Sequence, residues 1–201
     1  MAAFCPTCCG SWTSKGGARC LAVTGDHRYH SIFGAVKKCI AVNPSDTAPA
    51  LVALDAVVRT SKREIPIDAF FSAERGPQST VLDHDEIVTG LFVPRQAPGG
   101  TSAFRKIAIR KSIDFAVVNC AAAVAVRDGT IRSARICLNG VHNNPRRCEA
   151  AEEALIGKPL DAASAALAGE LAVDGAKPLL MNAFKVPMAK AIVADVLMDC
   201  A

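Results

Sequence analysis

The second half of the chain carries the clearest pattern of apolar and polar positions. Residues 102–110 alternate between apolar and basic side chains, which is typical of a half-exposed strand. Two longer apolar runs follow at 115–126 and 131–138, with Asp128-Gly129 between them. An Asp-Gly pair between apolar runs is a strong signal for a two-residue hairpin turn. The pattern therefore predicts an antiparallel pair across this turn, within a small antiparallel sheet.

The first half of the chain predicts shorter strands. Residues 39–42 form a short apolar run, and residues 56–60 with 63–67 are typical of a hairpin. Asp68 is then expected to cap a short helical turn. A further strand is predicted at 86–94, where a terminal proline cannot donate to a sheet ladder.

Apolar residues recur at helical spacing in three segments of the C-terminal half. These segments are residues 149–156, 161–173 and 179–200. Pro187 marks either a kink in the third helix or its true start. With the strands, these helices predict an α+β fold in two parts, residues 1–96 and 102–201, separated by a Pro-Gly-Gly stretch.

Composition and charge narrow the possible functions. The 201 residues suffice for one large domain or two small ones, and the formal net charge is only +4. The basic residues are scattered rather than grouped with aromatics, which argues against nucleic acid as a partner. The longest uncharged apolar run, 116–126, is too short to span a bilayer, and we see no secretory signal. We therefore expect a soluble, cytoplasmic protein without membrane contact.

Five of the nine cysteines crowd into the start of the chain. They are Cys5, Cys8, Cys9, Cys20 and Cys39. A CxxC pair followed by two isolated cysteines offers four thiolates, which suit an iron–sulfur cluster or a structural zinc ion. A tail with incidental thiols is the alternative. The nearby His27 and His30 are expected to bond to backbone groups, and the later cysteines to be small buried residues.

A helix start follows at Pro44-Ser45-Asp46-Thr47. Ser45 or Asp46 can cap the free backbone N–H groups of that helix. The same N-terminus can hold a phosphate or a ribityl hydroxyl of a nucleotide. An ordinary capped helix is the simpler interpretation, and spacing alone leaves both open.

Three strings in this region resemble one protein family. They are Cys20-x18-Cys39, the GDHRYH string at 25–30 and the PSDTAPAL string at 44–51. The family is the FAD-binding medium subunit of molybdenum hydroxylases, the group of xanthine dehydrogenase, carbon monoxide dehydrogenase and aromatic-CoA reductases. The cysteine-bearing loop is similar to the branch that includes 4-hydroxybenzoyl-CoA reductase, whose subunit carries an extra [4Fe–4S] cluster. The resemblance continues to the C-terminus through SAFRKIAIRKSIDFAVVNCAAAVAV.

The resemblance implies a partial FAD-binding domain at 1–96 and a C-terminal domain of antiparallel sheet covered by helices at 102–201. It implies that Ser45 and Asp46 orient FAD. Ile87 or Val88 would supply an aliphatic wall for the isoalloxazine, and Arg105 would approach the ring as a cation.

The resemblance also implies a set of metal ligands for a [4Fe–4S] cluster. They are Cys5, Cys8 or Cys9, Cys20 and Cys39. Replacing Cys39 is then expected to lower bound iron, because metal binding and loop folding are coupled.

The implied function is that of an iron–sulfur-containing electron-transfer subunit with no catalytic residue of its own. It would relay electrons between FAD and the clusters of partners, a molybdopterin-binding large subunit and a [2Fe–2S] small subunit. The family's glycine-rich pyrophosphate turns precede the cysteine loop and are missing here, so we expect poor FAD binding by this chain alone. A non-catalytic docking remnant without flavin and a zinc-stabilised binding domain are the alternatives.

Overall fold

The computed structural model describes residues 20–75 and 79–201, which form two antiparallel sheets and five α-helices. The predicted α+β fold class is confirmed. Within these described ranges, no helix combines the length and the hydropathy that a membrane crossing requires. The predicted ligands Cys5 and Cys8, and the alternative Cys9, lie outside the described residues.

The first sheet consists of a hairpin and one later strand. Its strands are β1 (Val57–Thr60), β2 (Glu64–Pro66) and β3 (Val88–Phe92), accompanied by helices α1 (Thr47–Ala53) and α2 (Ile67–Phe70). The order is β2-β1-β3, and both pairings are antiparallel. The predicted hairpin and the strand within 86–94 are confirmed. Val52, Val58 and Ile67 form a small core that also includes Cys137 from the second half of the chain.

The second sheet contains the longest strands. They are β4 (Gly100–Ile107), β5 (Val118–Arg127), β6 (Thr130–Asn139) and β7 (Arg146–Arg147), in the order β4-β5-β6-β7. The turn between β5 and β6 holds Asp128 at φ 54° and Gly129 at φ 70°. A type I′ turn requires positive φ at both central residues, and Asp-Gly tolerates this conformation. The predicted hairpin is therefore confirmed, together with its physical cause.

Three helices pack against the second sheet and enclose the main core. They are α3 (Glu149–Leu155), α4 (Ala162–Ala172) and α5 (Lys185–Asp199). Asp161 fixes the start of α4, because its carboxylate accepts from the Ser164 amide while the Ser164 hydroxyl accepts from the Asp161 amide. Pro187 is the third residue of α5, so it belongs to the true start of that helix.

The predicted strand at 39–42 is absent. Cys39 makes only an isolated bridge with Val36, and the Ile40 carbonyl accepts from the Ser31 amide. The backbone groups of this apolar run therefore bond to loop partners and form no ladder. Apolar character over four residues is too short a signal to distinguish these outcomes.

The predicted cap at Asp68 is also wrong. Helix α2 begins at Ile67 with Pro66 at the N-cap position, so Asp68 lies within its first turn. The Asp68 carboxylate accepts instead from Arg135 at 3.0 Å and from Arg147 at 3.1 Å. These bonds tie α2 to the second sheet. A charged guanidinium group is a stronger hydrogen-bond donor to a carboxylate than a free backbone amide is.

Helices α4 and α5 approach most closely at Gly169. A Cβ added there would lie 2.6 Å from the Lys190 carbonyl oxygen, which is closer than carbon and oxygen atoms pack. Only glycine therefore fits at this crossing without moving one helix.

We expect Gly169→Ala to destabilise the fold by about 1–3 kcal/mol, although alanine is the better helix former. The added methyl group must push the Lys190 backbone away. Gly90→Ala on β3 is the control, because nothing lies within 4 Å of the corresponding Cβ. Urea unfolding of both variants measures the difference, and equal free energies of unfolding would contradict the close packing.

Candidate functional site

The turn at 43–46, which we call the Asp46 turn, precedes α1 and is held by its own side chains. The Ser45 hydroxyl accepts from the Ala48 amide at 3.1 Å, and the Asn43 side chain accepts from the Ser45 amide at 3.0 Å. Asp46 stands at the N-cap position but makes no side-chain bond to the helix. Ser45 is thus the capping residue, which leaves the Asp46 carboxylate available for other contacts.

Three neighbouring side chains of the second sheet reach this turn. Lys106 on β4 pairs with Asn119 on β5, and Asn119 pairs with Asn139 on β6, so the three form one row across the sheet. We call Lys106, Asn119 and Asn139 the sheet row.

The sheet row holds both oxygens of one carboxylate. Lys106 Nζ lies 2.5 Å from Asp46 Oδ2, and Asn119 Nδ2 lies 2.8 Å from Asp46 Oδ1. Asn139 Nδ2 donates to the Ser45 carbonyl at 2.6 Å. The sheet therefore fixes the side chain of Asp46 and the backbone of the preceding residue.

The site is buried on one side and open on the other. Asn119 and Asn139 are fully buried, and their Oδ1 atoms have no hydrogen-bond partner within the described part of the chain. The Asp46 side chain is 43% exposed and the Lys106 side chain 24%. Two buried acceptors without donors are costly, and such groups are conspicuous in a folded protein. The exposed Asp46 carboxylate can accept hydrogen bonds from hydroxyl or amide groups of a ligand beside a fixed cation.

Arg105 lies on the other face of the sheet from this site. It pairs with Cys120 across β5, and its guanidinium donates to the Asp199 carboxylate at 2.5 and 2.7 Å. A further bond reaches Asp195. Successive residues of a strand point to opposite faces, so Lys106, the next residue, is the cation that faces Asp46. Arg105 thus contacts α5 and not Asp46, and its approach to the flavin stays a prediction.

Ile87 and Val88 lie in the first sheet. Ile87 precedes β3 and bonds through its carbonyl to the Ser61 amide, whereas Val88 is the first residue of β3. Their exposed fractions are 69% and 41%. Both offer apolar surface to a ligand, but the structure does not join them to the sheet row by any bond among the described residues.

Cys20 and Cys39 are free, half-buried thiols at the two ends of the cysteine loop. Cys39 closes a tight turn with Val36, in which the two residues exchange backbone hydrogen bonds of 2.9 and 3.0 Å. The central residues Lys37 and Lys38 have φ of 46° and 69°. The left-handed region costs a non-glycine residue about 1–2 kcal/mol, so the turn that presents Cys39 is strained.

The described residues by themselves do not assemble a metal site. No group of three or more histidine, cysteine or acidic side chains within 20–75 and 79–201 is arranged to hold a metal ion. Cys20 and Cys39 supply at most two ligands, whereas a [4Fe–4S] cluster needs four. The other predicted ligands, Cys5 and Cys8 or Cys9, fall outside the described ranges.

The later cysteines are structural. Cys120, Cys137, Cys148 and Cys200 are all buried. Burial raises the pKa of the Cys120 and Cys137 thiols, and it raises the pKa of Cys148 to about 12. A thiol that stays protonated is neither a nucleophile nor a metal ligand, as predicted from the apolar surroundings of these residues.

Buried polar side chains anchor the cysteine loop to the C-terminal helix. His27 accepts from the Met181 amide at 3.0 Å, and its other ring nitrogen lies 3.0 Å from the Gly25 carbonyl, which confirms its predicted backbone bonding. Lys185 is fully buried and donates to the carbonyls of Gly140 and His30 at 2.5 and 3.0 Å. Burial lowers the pKa of Lys185 to about 7. The loop therefore has fixed partners that do not depend on a metal.

Two family descriptions together cover most of the chain. Residues 7–96 match the FAD binding domain in molybdopterin dehydrogenase, and residues 102–199 match the CO dehydrogenase flavoprotein C-terminal domain. The Asp46 turn lies in the first segment and the sheet row in the second. The chain belongs to the family of FAD-binding subunits of molybdenum hydroxylases.

Individual relatives agree with this assignment. The FAD-binding subunit of an aldehyde oxidoreductase from Escherichia coli K12 is 34% identical over 190 residues, which cover 91% of this chain and 56% of that subunit. The nicotinate dehydrogenase FAD-subunit of Eubacterium barkeri is 32% identical over 120 residues, 59% of this chain and 40% of that subunit. The chain thus spans about half the length of these relatives.

A solved structure supports the fold. Carbon monoxide dehydrogenase from Hydrogenophaga pseudoflava, in a form that lacks the Mo-pyranopterin moiety, superposes with a TM-score of 0.68 at 27% identity. The match covers 88% of this chain and 59% of that chain. The mixed architecture is therefore that of a known flavoprotein fold.

Lys185 makes the stability of the chain depend on pH. Its pKa is about 7 in the folded chain, against an ordinary value of 10.5, so above pH 7 the unfolded state binds more protons. We expect the free energy of unfolding to rise from about pH 7 to 9, by at most about 1.4 kcal/mol per unit. Lys185→Met should remove this contribution to the slope.

Denaturant titrations across this pH window measure the effect. Lys190→Met is the control, because Lys190 is exposed on the same helix and pairs with Glu170. A Lys185→Met slope equal to that of the wild type would contradict a buried lysine with a lowered pKa.

Proposed function

We propose that this chain acts as an FAD-binding electron-transfer component of a molybdenum-dependent dehydrogenase or hydroxylase. In this function it relays electrons between FAD and iron–sulfur clusters, while substrate is converted at molybdenum in another subunit. The observation that carries the proposal is the Asp46 carboxylate, which lies within the segment that matches an FAD-binding domain and is gripped by the sheet row.

The residues around Asp46 suit the hydroxyl-rich part of FAD. A carboxylate held at both oxygens offers its remaining lone pairs to ribityl or ribose hydroxyls, and such charge-assisted bonds are the stronger kind. Lys106 keeps a positive charge beside the carboxylate and favours the anionic cofactor. Bound FAD would supply the redox chemistry, because a flavin can take up or release electrons either as a pair or one at a time. The protein residues bind and orient it, and Ile87 or Val88 supply apolar surface.

The larger assembly is part of the same proposal. Relatives longer than this chain are named as FAD-binding subunits, which implies further subunits in their complexes. We propose a molybdopterin-binding large subunit and a [2Fe–2S] small subunit as partners, in the cytoplasm.

We further propose a [4Fe–4S] cluster bound by Cys20 and Cys39 together with Cys5 and either Cys8 or Cys9. Two observations support it: the free, half-buried thiols of Cys20 and Cys39, and the strained turn that presents Cys39. Strain of this kind is often retained at functional sites. A structural zinc ion is the second candidate, because the same thiolates suit it.

The proposed flavin site predicts that the loss of one of two adjacent cations weakens FAD binding more than the loss of the other. Lys106→Met should weaken FAD binding about tenfold or more, because Asp46 loses a charge-assisted bond and the site loses its cation. Arg105→Met is the matched control: it removes an equal charge one residue away, on the face that pairs with Asp199. Fluorescence titration with FAD measures both affinities. A larger loss in Arg105→Met would place the flavin on the α5 face and contradict the site proposed.

The cluster predicts that Cys39→Ser lowers the iron content of protein purified without oxygen, with loss of the broad visible absorption. Loss of one thiolate ligand should also loosen the loop, since metal binding and loop folding are coupled. Cys148→Ser is the control, because that thiol is buried and remains protonated.

The outcomes of the Cys39→Ser experiment separate the candidates. Unchanged iron in Cys39→Ser would contradict the ligand assignment. Colourless wild-type protein that contains zinc would favour the zinc-stabilised domain. Protein without flavin bands at saturating FAD would favour a docking module.

A further inference from the structure

Asn119 is a polar residue at a fully buried position of the second sheet. It lies in the middle of the sheet with no exposed surface, between the strand neighbours Lys106 and Asn139. A buried amide is costly unless its hydrogen bonds are satisfied, and the Asn119 Oδ1 atom has no partner within the described residues. An apolar residue of similar size would avoid this cost, so the side chain must contribute through its amide nitrogen.

The amide nitrogen of Asn119 has one strong contact, and it is directed at Asp46. Nδ2 lies 2.8 Å from Asp46 Oδ1 and 3.3 Å from the Ser45 carbonyl. Lys106 binds the other oxygen of the same carboxylate. The two donors together leave the carboxylate one orientation, whereas Lys106 alone would let it rotate about its terminal torsion, which is broad for aspartate.

We propose that Asn119 is a positioning residue, which orients the Asp46 carboxylate for the flavin. It reaches the cofactor only through Asp46, so the sheet of the C-terminal segment sets the geometry of a site in the FAD-binding segment. This inference rests on the proposed function and adds to it a residue that neither the sequence pattern nor the comparisons assign.

Asn119→Asp tests the proposal with almost no change of shape. At about pH 8 the new carboxylate faces Asp46 across the former 2.8 Å bond and repels it. At about pH 5 the two carboxylates share a proton, because the neighbouring like charge raises the pKa of one of them, and the lost donor returns. FAD affinity should therefore fall about tenfold or more at the higher pH and recover at the lower pH. The wild type should show no such recovery.

Asn182→Asp is the matched control. Asn182 is also fully buried, and its Nδ2 donates to the backbone carbonyls of Ser31 and His30 without touching Asp46. The substitution introduces an equal buried charge, so it reproduces the general loss of stability. Its FAD affinity should follow that of the wild type at both pH values.

Amide hydrogen exchange in the absence of flavin separates this inference from the proposed function. The Ala48 and Ser45 amides bond to side chains of the turn, so Asn119→Asp should speed their exchange at about pH 8 relative to the wild type. Faster exchange with a pH-reversible loss of affinity supports the proposal. Unchanged exchange, or an affinity equal to that of the wild type at both pH values, overturns it. Faster exchange in a protein whose wild type binds no FAD overturns the proposed function instead.

Discussion

The pairing of β5 with β6 is the constraint on which the rest of the structure depends. These are the two longest strands, and their register is set by the tight Asp128-Gly129 turn together with a β-bulge that shifts the pairing by one residue between Ala125 and Val126. A shift by one residue would send every side chain to the other face of the sheet. In the observed register, Cys120 and Leu138 enter the main core, whereas Asn119 and Asn139 face the turn before α1.

Successive residues of β4 also point to opposite faces of the sheet, so its two adjacent cations lie on different faces. Arg105 and Lys106 are adjacent, and each has acidic partners on its own face: Asp199 and Asp195 for the arginine, Asp46 for the lysine. The arginine pairs tie β4 to α5 near the surface, where ion pairs contribute little stability. The lysine pair is less exposed and is completed by a buried amide, so it holds its geometry more firmly.

Bonds from the second sheet to helices α1 and α2 keep the Asp46 turn in place. Arg135 donates to the Val52 carbonyl at 2.9 Å and to Asp68, which Arg147 also binds. Arg147 in turn pairs at 2.5 Å with Glu152, a nearly buried acid on α3. These contacts connect α1 and α2 to β6 and α3, so a site assembled from both family segments has a continuous supporting structure.

The sequence by itself determined the elements whose signals are local. Asp128-Gly129 specifies its hairpin because few residues tolerate positive φ at both turn positions, and Asp161 with Ser164 specifies the start of α4 through a reciprocal cap. The sequence also contained the resemblance that located Asp46 and the cysteine loop.

Only the tertiary structure decided which side chains meet at the candidate site. Lys106, Asn119 and Asn139 are far apart along the chain, and strand register alone places them in one row. The structure also turned Arg105 towards α5 and converted the apolar run at 39–42 into a loop bonded to Ser31. These outcomes depend on partners distant in sequence, whose hydrogen bonds and charges no local pattern encodes.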